Sequence, residues 1–185
     1  MIFNALSIAG SDSGGGAGIQ ADLKTFAAVG VYGASVITAV TAQNTREVRA
    51  IHEVPASVIA EQLDAVFDDI RIHAVKIGML SRREIIETVL AALDRHQATN
   101  VVLDPVMVAK SGDRLLDDDA ISVLRGDLIP RATVITPNLA EAAEILGETP
   151  IGHKEAMSGV GERLLALGAQ GVVLKGGHLT TSQSP

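Results

Sequence analysis

The residues best suited to chemistry lie in a glycine-rich stretch that follows the first apolar segment. Four of the five positions from 14 to 18 are glycine, so the backbone amides are open to a ligand. Polar side chains stand on both sides of these glycines, namely Ser11, Asp12, Ser13, Gln20 and Asp22. A helical pattern starts near Ala17, and the N-terminus of a helix favours anions and polar groups. The stretch predicts a loop that faces a ligand, with a purely structural strand–helix turn as the alternative.

Two well-known nucleotide-binding motifs can be compared with this stretch. A Walker loop needs Lys and then Ser or Thr after its last glycine, whereas this chain has Gly18-Ile19-Gln20. The pattern Gly16-x-Gly18-x-x-Ala21 fits the relaxed dinucleotide fingerprint, but that fingerprint also requires an acidic residue at the end of the next strand. The next apolar run ends in Thr41-Ala42-Gln43-Asn44, without an acid. A dinucleotide site is therefore only a minor alternative.

Other apolar segments also end in polar residues or glycine. These ends are Gln43-Asn44, Gly78-Met79, Asp104, Asn138 with Glu141, and Lys175-Gly176-Gly177. Ligands of parallel α/β sheets bind outside the carboxyl ends of the strands, where these residues would meet. Each one has a structural explanation by itself, as a strand stop, a helix cap or a snorkelling lysine. Their repeated occurrence at strand ends favours one shared site.

The elements that would position these residues alternate between strands and helices. Strands are predicted at residues 2–9, 31–41, 74–77, 101–103, 133–136 and 172–175, with a short strand or hairpin arm at 46–54. Helices are predicted at residues 17–29, 56–69, 117–124 and 154–167, after a Ser81-x-x-Glu84 capping box, and after Asn138 as the N-cap. Helices of this length between strands predict a mostly parallel sheet with helices on both faces.

Composition limits the class of protein. The 185 residues are 47% hydrophobic, which predicts a single α/β domain over residues 1–185 with one core. The net charge of −7, without any Lys/Arg cluster longer than a pair, argues against nucleic acid and anionic membranes as partners. The absence of cysteine excludes disulfides and thiolate metal sites. With no basic leader and no long apolar stretch, we expect a soluble, cytoplasmic protein.

Six segments of the chain together resemble the hydroxymethylpyrimidine/phosphomethylpyrimidine kinases of thiamine biosynthesis. In chain order they are residues 10–25, 38–45, 76–80, 103–107, 136–142 and 173–178, and they begin with Gly10-Ser11-Asp12-Ser13-Gly14-Gly15-Gly16-Ala17-Gly18. The resemblance extends over essentially the whole chain. It implies the ribokinase-like fold, which is a three-layer α/β/α sandwich with a mostly parallel sheet.

The same resemblance implies a function and a substrate pocket. The function is ATP-dependent phosphorylation of 4-amino-5-hydroxymethyl-2-methylpyrimidine and then of its monophosphate. Gln43 resembles the residue that binds the aminopyrimidine edge, and its amide has the acceptor and donors that a ring nitrogen beside an exocyclic amine requires. The other substrate-binding residues would be Gly10, Asp22, Met79 and Val106.

The resemblance also implies ATP and Mg²⁺ as cofactors. Asp104, Asn138 and Lys175 would bind the nucleotide cofactor, with Lys175 offsetting the charge of the triphosphate. Glu141 would hold the metal ion through water, which suits a cation that keeps several of its waters.

One element of the family is not found among the 185 residues. It is a Gly-x-Gly-Cys stretch, whose amides form an anion hole and whose cysteine lies beside the substrate hydroxyl. The sequence has no cysteine, so no catalytic residue is assigned, and the resemblance implies a domain without the family's C-terminal part.

Two other functions remain open. One is a pyridoxal kinase activity, because pyridoxal kinases share this fold, although Gln43 and Met79 favour the pyrimidine. The other is a catalytically incomplete fragment that binds a pyrimidine without transferring phosphate. The expected partners are a small-molecule substrate and ATP, with a homodimer left open.

Overall fold

A single sheet forms the centre of the molecule. The computed structural model describes residues 2–107, 116 and 118–177. Within them, seven strands lie in the order β3-β2-β1-β4-β5-β6-β7. They are β1 (Asn4–Asp12), β2 (Tyr32–Gln43), β3 (Val48–Glu53), β4 (Ala74–Ile77), β5 (Val101–Leu103), β6 (Val134–Ile135) and β7 (Gly171–Val172). All neighbours pair in parallel except β2 and β3, which form an antiparallel hairpin.

The helices occupy the connections between these strands. They are α1 (Gly18–Ala28), α2 (Ala56–Asp69), α3 (Arg83–Arg95), α4 (Asp118–Val123), α5 (Ile129–Arg131), α6 (Leu139–Leu146) and α7 (Met157–Leu165). A π-helical turn at Leu124–Leu128 joins α4 to α5, and a 3₁₀ turn at Lys154–Ala156 precedes α7. No helix in the described residues is long and apolar enough to cross a membrane.

Different helices cover the two faces of the sheet. Leu6 and Ile8 of β1 are fully buried in one core cluster with apolar side chains of α2 and α3, such as Leu63. The hydroxyl of Ser7, between them, donates a hydrogen bond of 2.7 Å to Asp22 of α1. Because neighbouring residues of a strand point to opposite faces, α1 lies on one face while α2 and α3 lie on the other. The predicted three-layer α/β/α architecture is confirmed.

Most predicted elements are confirmed, several with the predicted bounds. The helix at 56–69 and the strands at 74–77 and 101–103 coincide with α2, β4 and β5. The first strand continues to Asp12, beyond the predicted end at residue 9. The helix predicted at 117–124 corresponds to α4, but the prediction ended too early. The helical backbone continues through the π-helical turn to Arg131, because the buried side chains of Leu128 and Ile129 pack in the core.

The predicted capping box at Ser81 is wrong. The N-cap of α3 is Arg82, one residue later, and its side chain makes no capping hydrogen bond. The Ser81 hydroxyl is buried and finds no hydrogen-bond partner among the described residues. The chain is still extended at Arg82, with φ −133° and ψ 154°, so Ser81 lies too far upstream to reach the first amides of the helix.

Candidate functional site

A cavity of about 350 Å³ lies at the carboxyl ends of the central strands. It is lined by the end of β1, the start of α1, the β2–β3 hairpin and the segments that follow β4 and β5. The lining includes all the predicted substrate-binding residues, Gly10, Asp22, Gln43, Met79 and Val106, together with Asp104. The parallel sheet thus brings together residues that are far apart in sequence, and their role in binding stays a prediction.

The amides of the glycine-rich loop bind the carboxylate of Asp12, at the start of the same loop. The carboxylate of Asp12 accepts hydrogen bonds from the amides of Gly14 at 2.8 Å, Gly16 at 2.9 Å and Ala17 at 2.8 Å. The backbone amide of Asp12 in turn donates to Gln20 Oε1 at 2.7 Å. These amides were predicted to face a ligand, and that expectation is corrected because Asp12 uses them to hold the loop in shape.

Two glycines allow close contacts around the end of β1. Gly18 has φ +55°, and a Cβ there would lie 2.3 Å from the carbonyl oxygen of Gly10. A Cβ on Gly10 would lie 2.7 Å from the Cε atom of Met79, whose own carbonyl accepts a hydrogen bond from Thr38 at 2.9 Å. The missing side chain at Gly10 therefore lets Met79 close one wall of the cavity.

The backbone of Gln43 is fixed against the glycine-rich loop. Its amide donates to Ser13 Oγ at 2.8 Å, and Ser13 Oγ donates to its carbonyl at 2.7 Å. Thr41 Oγ1 lies 3.3 Å from Gln43 Oε1, but it also lies 2.7 Å from the carbonyl of Ser11. A hydroxyl has one proton, which the shorter contact takes, so within the described residues no strong hydrogen bond uses the Gln43 side-chain amide.

Asp22 is held by two donors at one of its carboxylate oxygens. Ser7 Oγ donates to Asp22 Oδ2 at 2.7 Å, and Lys76 Nζ donates to the same oxygen at 2.9 Å. Among the described residues both bonds go to Oδ2, which leaves Oδ1 without a side-chain donor. Lys76 lines the cavity too, although it was not among the predicted site residues. The available signal was a lysine inside an otherwise apolar buried strand.

The residues predicted to bind the nucleotide and the metal ion form an adjoining charged cluster. Its central contact joins Lys175 Nζ to Asp104 Oδ1 at 2.7 Å. Asp104 Oδ1 also accepts from Thr136 Oγ1 at 3.0 Å, and Lys175 Nζ lies 3.9 Å from Glu141 Oε2. Since Asp104 also lines the cavity, the cluster and the cavity share one residue.

Asn138 and Glu141 form the predicted helix cap. Asn138 Oδ1 accepts from the amide of Glu141 at 2.9 Å, and Glu141 Oε2 accepts from the amide of Asn138 at 2.7 Å. The backbone of Asn138 also pairs with that of Lys175 in an isolated parallel bridge. The capping prediction is confirmed, and the same bonds place the buried Glu141 carboxylate beside the cluster.

The carboxylate oxygens of this cluster suit a cation that keeps several of its waters better than one bound by protein groups alone. No group of three or more His, Cys, Asp or Glu side chains that could hold a metal ion occurs in the described part of the chain. Asp104 and Glu141 supply two carboxylates near Lys175. Mg²⁺ is commonly held by one or two carboxylates together with water and substrate phosphates, so these residues fit that ion.

The chain is similar in sequence to known phosphomethylpyrimidine kinases. A family model described as Phosphomethylpyrimidine kinase matches residues 12–185. The chain is 58% identical over 175 residues to the hydroxymethylpyrimidine/phosphomethylpyrimidine kinase of Rhizobium meliloti, covering 95% of this chain and 65% of that protein. It therefore spans about two thirds of the length of that relative.

Solved structures are similar as well. A phosphomethylpyrimidine kinase from Clostridium difficile has a TM-score of 0.90 at 50% identity, covering 98% of this chain and 78% of that one. An ADP complex of Bacillus subtilis pyridoxal kinase has a TM-score of 0.91 at 40% identity, covering 100% of this chain and 70% of that one.

Proposed function

Because this chain belongs to the phosphomethylpyrimidine kinase family, we propose that it acts in the ATP-dependent phosphorylation of 4-amino-5-hydroxymethyl-2-methylpyrimidine and of its monophosphate, in thiamine biosynthesis. One observation carries the proposal. The cavity that contains Gln43 and Asp22 meets the charged cluster of Lys175 at Asp104. Phosphoryl transfer requires such adjacency, because catalysis is mostly the positioning of donor and acceptor together with electrostatic stabilisation.

The pyrimidine would be recognised by polar groups at its edge and apolar groups at its faces. The Gln43 amide offers an acceptor and two donors to the ring nitrogen and the exocyclic amine. Asp22 Oδ1 is left for a donor of the ligand, such as its hydroxyl. Met79 and Val106 line the same cavity with apolar surface, and Gly10 leaves room for Met79.

The phosphates of ATP would lie at the charged cluster. Lys175 would exchange its contact with Asp104 for phosphate oxygens and so offset their negative charge. Asn138 and Asp104 would complete the nucleotide side. A bound Mg²⁺ would neutralise phosphate charge, with Glu141 holding it through water.

A second candidate substrate is pyridoxal. The observation that favours it is the similarity to the pyridoxal kinase of Bacillus subtilis. Pyridoxal has one ring nitrogen and no exocyclic amine, so it would use less of the Gln43 amide. We therefore expect the pyrimidine to be the better substrate.

A comparison of the two alcohols as substrates tests the proposal. The purified protein is incubated with ATP and Mg²⁺ and with either alcohol, and ADP release is measured, while calorimetry measures binding of each alcohol without ATP. Faster ADP release with the pyrimidine supports the proposal, and a preference for pyridoxal contradicts it. Pyrimidine binding without ADP release would identify a binding fragment instead.

Two further parts of the proposal concern the whole protein. Because ATP is supplied in the cytoplasm, we infer a cytoplasmic location. A homodimer stays a prediction. Light scattering coupled to size-exclusion chromatography measures the oligomeric state.

A further inference from the structure

The cavity offers few cations to a ligand that carries a phosphate. Among the described residues that line it, the acidic side chains are Asp12, Asp22, Glu47 and Asp104, and the basic side chains are Arg46 and Lys76. The proposed function requires this cavity to accept first a neutral alcohol and then a phosphate monoester. A phosphate beside these carboxylates would be repelled unless a cation lay close to it.

Lys76 is the better placed of the two cations. Its side chain is 25% exposed, and its Nζ atom is held 2.9 Å from Asp22 Oδ2. An ammonium group has three protons, and within the described residues one of them is bonded, to Asp22. Nζ also lies 3.0 Å from the position that a Cβ would take at Gly78, so the glycine leaves space around the ammonium.

Arg46 is held differently. Its backbone amide donates to Asn44 Oδ1 at 2.8 Å in the turn of the hairpin, and the residue is exposed to solvent. A phosphate contact there would be weakened by solvent and salt.

We propose that the Lys76 ammonium binds the phosphate of the phosphorylated pyrimidine, and so allows one cavity to accept both the alcohol and its monophosphate. The inference rests on the proposed function. With the alcohol bound, Lys76 keeps its bond to Asp22. With the monophosphate bound, its other protons go to phosphate oxygens while Asp22 holds the ammonium in place.

The test measures calorimetric affinity for the alcohol and for its monophosphate in the wild-type protein and in K76Q. Glutamine keeps an N–H donor for Asp22 but removes the charge. We expect K76Q to lose roughly 10- to 100-fold in affinity for the monophosphate and to bind the alcohol within about twofold. R46Q is the matched control, with the same change of charge at the same cavity, and should retain both affinities.

The outcomes separate this inference from the function on which it rests. A wild-type protein that binds neither pyrimidine overturns the proposed function. Wild-type binding of both, with K76Q unchanged or equally weak toward both, overturns only the role of Lys76. Thermal melting checks that K76Q is folded. In the wild-type protein, the Lys76 side-chain NMR signal should shift with the monophosphate and not with the alcohol, and the absence of that shift also contradicts the inference.

Discussion

At the scale of single residues, the loop and the cavity use polar groups in different ways. The Asp12 carboxylate takes three amides of the glycine-rich loop, so these amides stabilise the loop. Gln43 has the opposite arrangement, because its backbone is bonded to Ser13 while, among the described residues, its side chain has only the 3.3 Å contact with Thr41. We therefore expect the recognition of a ligand to depend on a few side chains whose backbone is held in place by hydrogen bonds.

Replacement of Gln43 tests the recognition of the pyrimidine edge. We expect Q43A to weaken pyrimidine binding by about 1–3 kcal/mol, because a polar edge of the ligand loses its partner in a partly buried site. Calorimetric titration measures the change. Q170A is a control, since Gln170 is exposed and lies outside the cavity lining. Unchanged affinity in Q43A would remove Gln43 from the site.

Replacement of Glu141 distinguishes a role in the helix cap from a role at the phosphates of ATP. Glutamine can still accept the hydrogen bond from the amide of Asn138, so E141Q should change stability by less than about 1 kcal/mol. If the carboxylate positions hydrated Mg²⁺, E141Q should weaken binding of Mg·ATP and leave pyrimidine affinity unchanged. E144Q makes the same charge change on the exposed side of α6. Equal Mg·ATP affinity in both variants would leave Glu141 with the cap alone.

Asp12 should matter for stability more than for ligand contact. D12N replaces one carboxylate oxygen by an amide nitrogen, which cannot accept a hydrogen bond, so at least one of the three loop amides loses its acceptor. We expect a loss of about 1–3 kcal/mol in the free energy of unfolding, measured by urea denaturation. A variant as stable as the wild-type protein would show that these bonds contribute little.

The positions of the predicted residues at the cavity and the charged cluster were predictable where a strand ends in a polar group, while their roles stay predictions. Gln43, Asp104 and Lys175 follow apolar runs, and a parallel sheet brings such ends together. Lys76 was missed as a residue of the cavity, because only its contact with Asp22, 54 residues away in the sequence, distinguishes it from other lysines. The role of Asp12 was missed because it depends on the directions of three amides, which no periodicity in the sequence encodes.

At the scale of elements, the periodicity of the sequence identifies those whose apolar face is regular. In α3, buried Ile85, Ile86, Val89 and Leu93 follow the helical repeat, and the helix was found although its cap was not. The continuation of α4 into α5 was missed because a π-helical turn interrupts that repeat at Leu124–Leu128.

The junction of β1 and α1 depends on Gly18. We expect G18A to cost about 2–5 kcal/mol of unfolding free energy, because its backbone has φ +55° and its Cβ would overlap the Gly10 carbonyl. Gly30 is the matched control, since it has φ +74° but nothing within 4 Å of an added Cβ. G30A should therefore cost only about 1–2 kcal/mol. Denaturant unfolding measures both, and equal losses would contradict the close approach.

At the scale of the whole molecule, the site and the main core occupy different regions. Asp104 and Lys175 are 71 residues apart in sequence and meet only when the sheet is complete. The core cluster includes Leu93 of α3, which is fully buried and is not among the residues that line the cavity. Stability and ligand affinity should therefore respond separately to a change in the core.

Truncation of Leu93 tests this separation. We expect L93A to lower the free energy of unfolding by about 2–5 kcal/mol, because it removes buried apolar contacts and leaves a cavity. L165A is the matched control, since Leu165 is 42% exposed and the same truncation there should cost far less. Pyrimidine affinity, measured by calorimetry well below the melting temperature, should stay within about twofold of the wild-type value in both variants. A large loss of affinity in folded L93A would mean that packing on the α2–α3 face of the sheet controls the geometry at the strand ends, and that the cavity is not an independent unit of the fold.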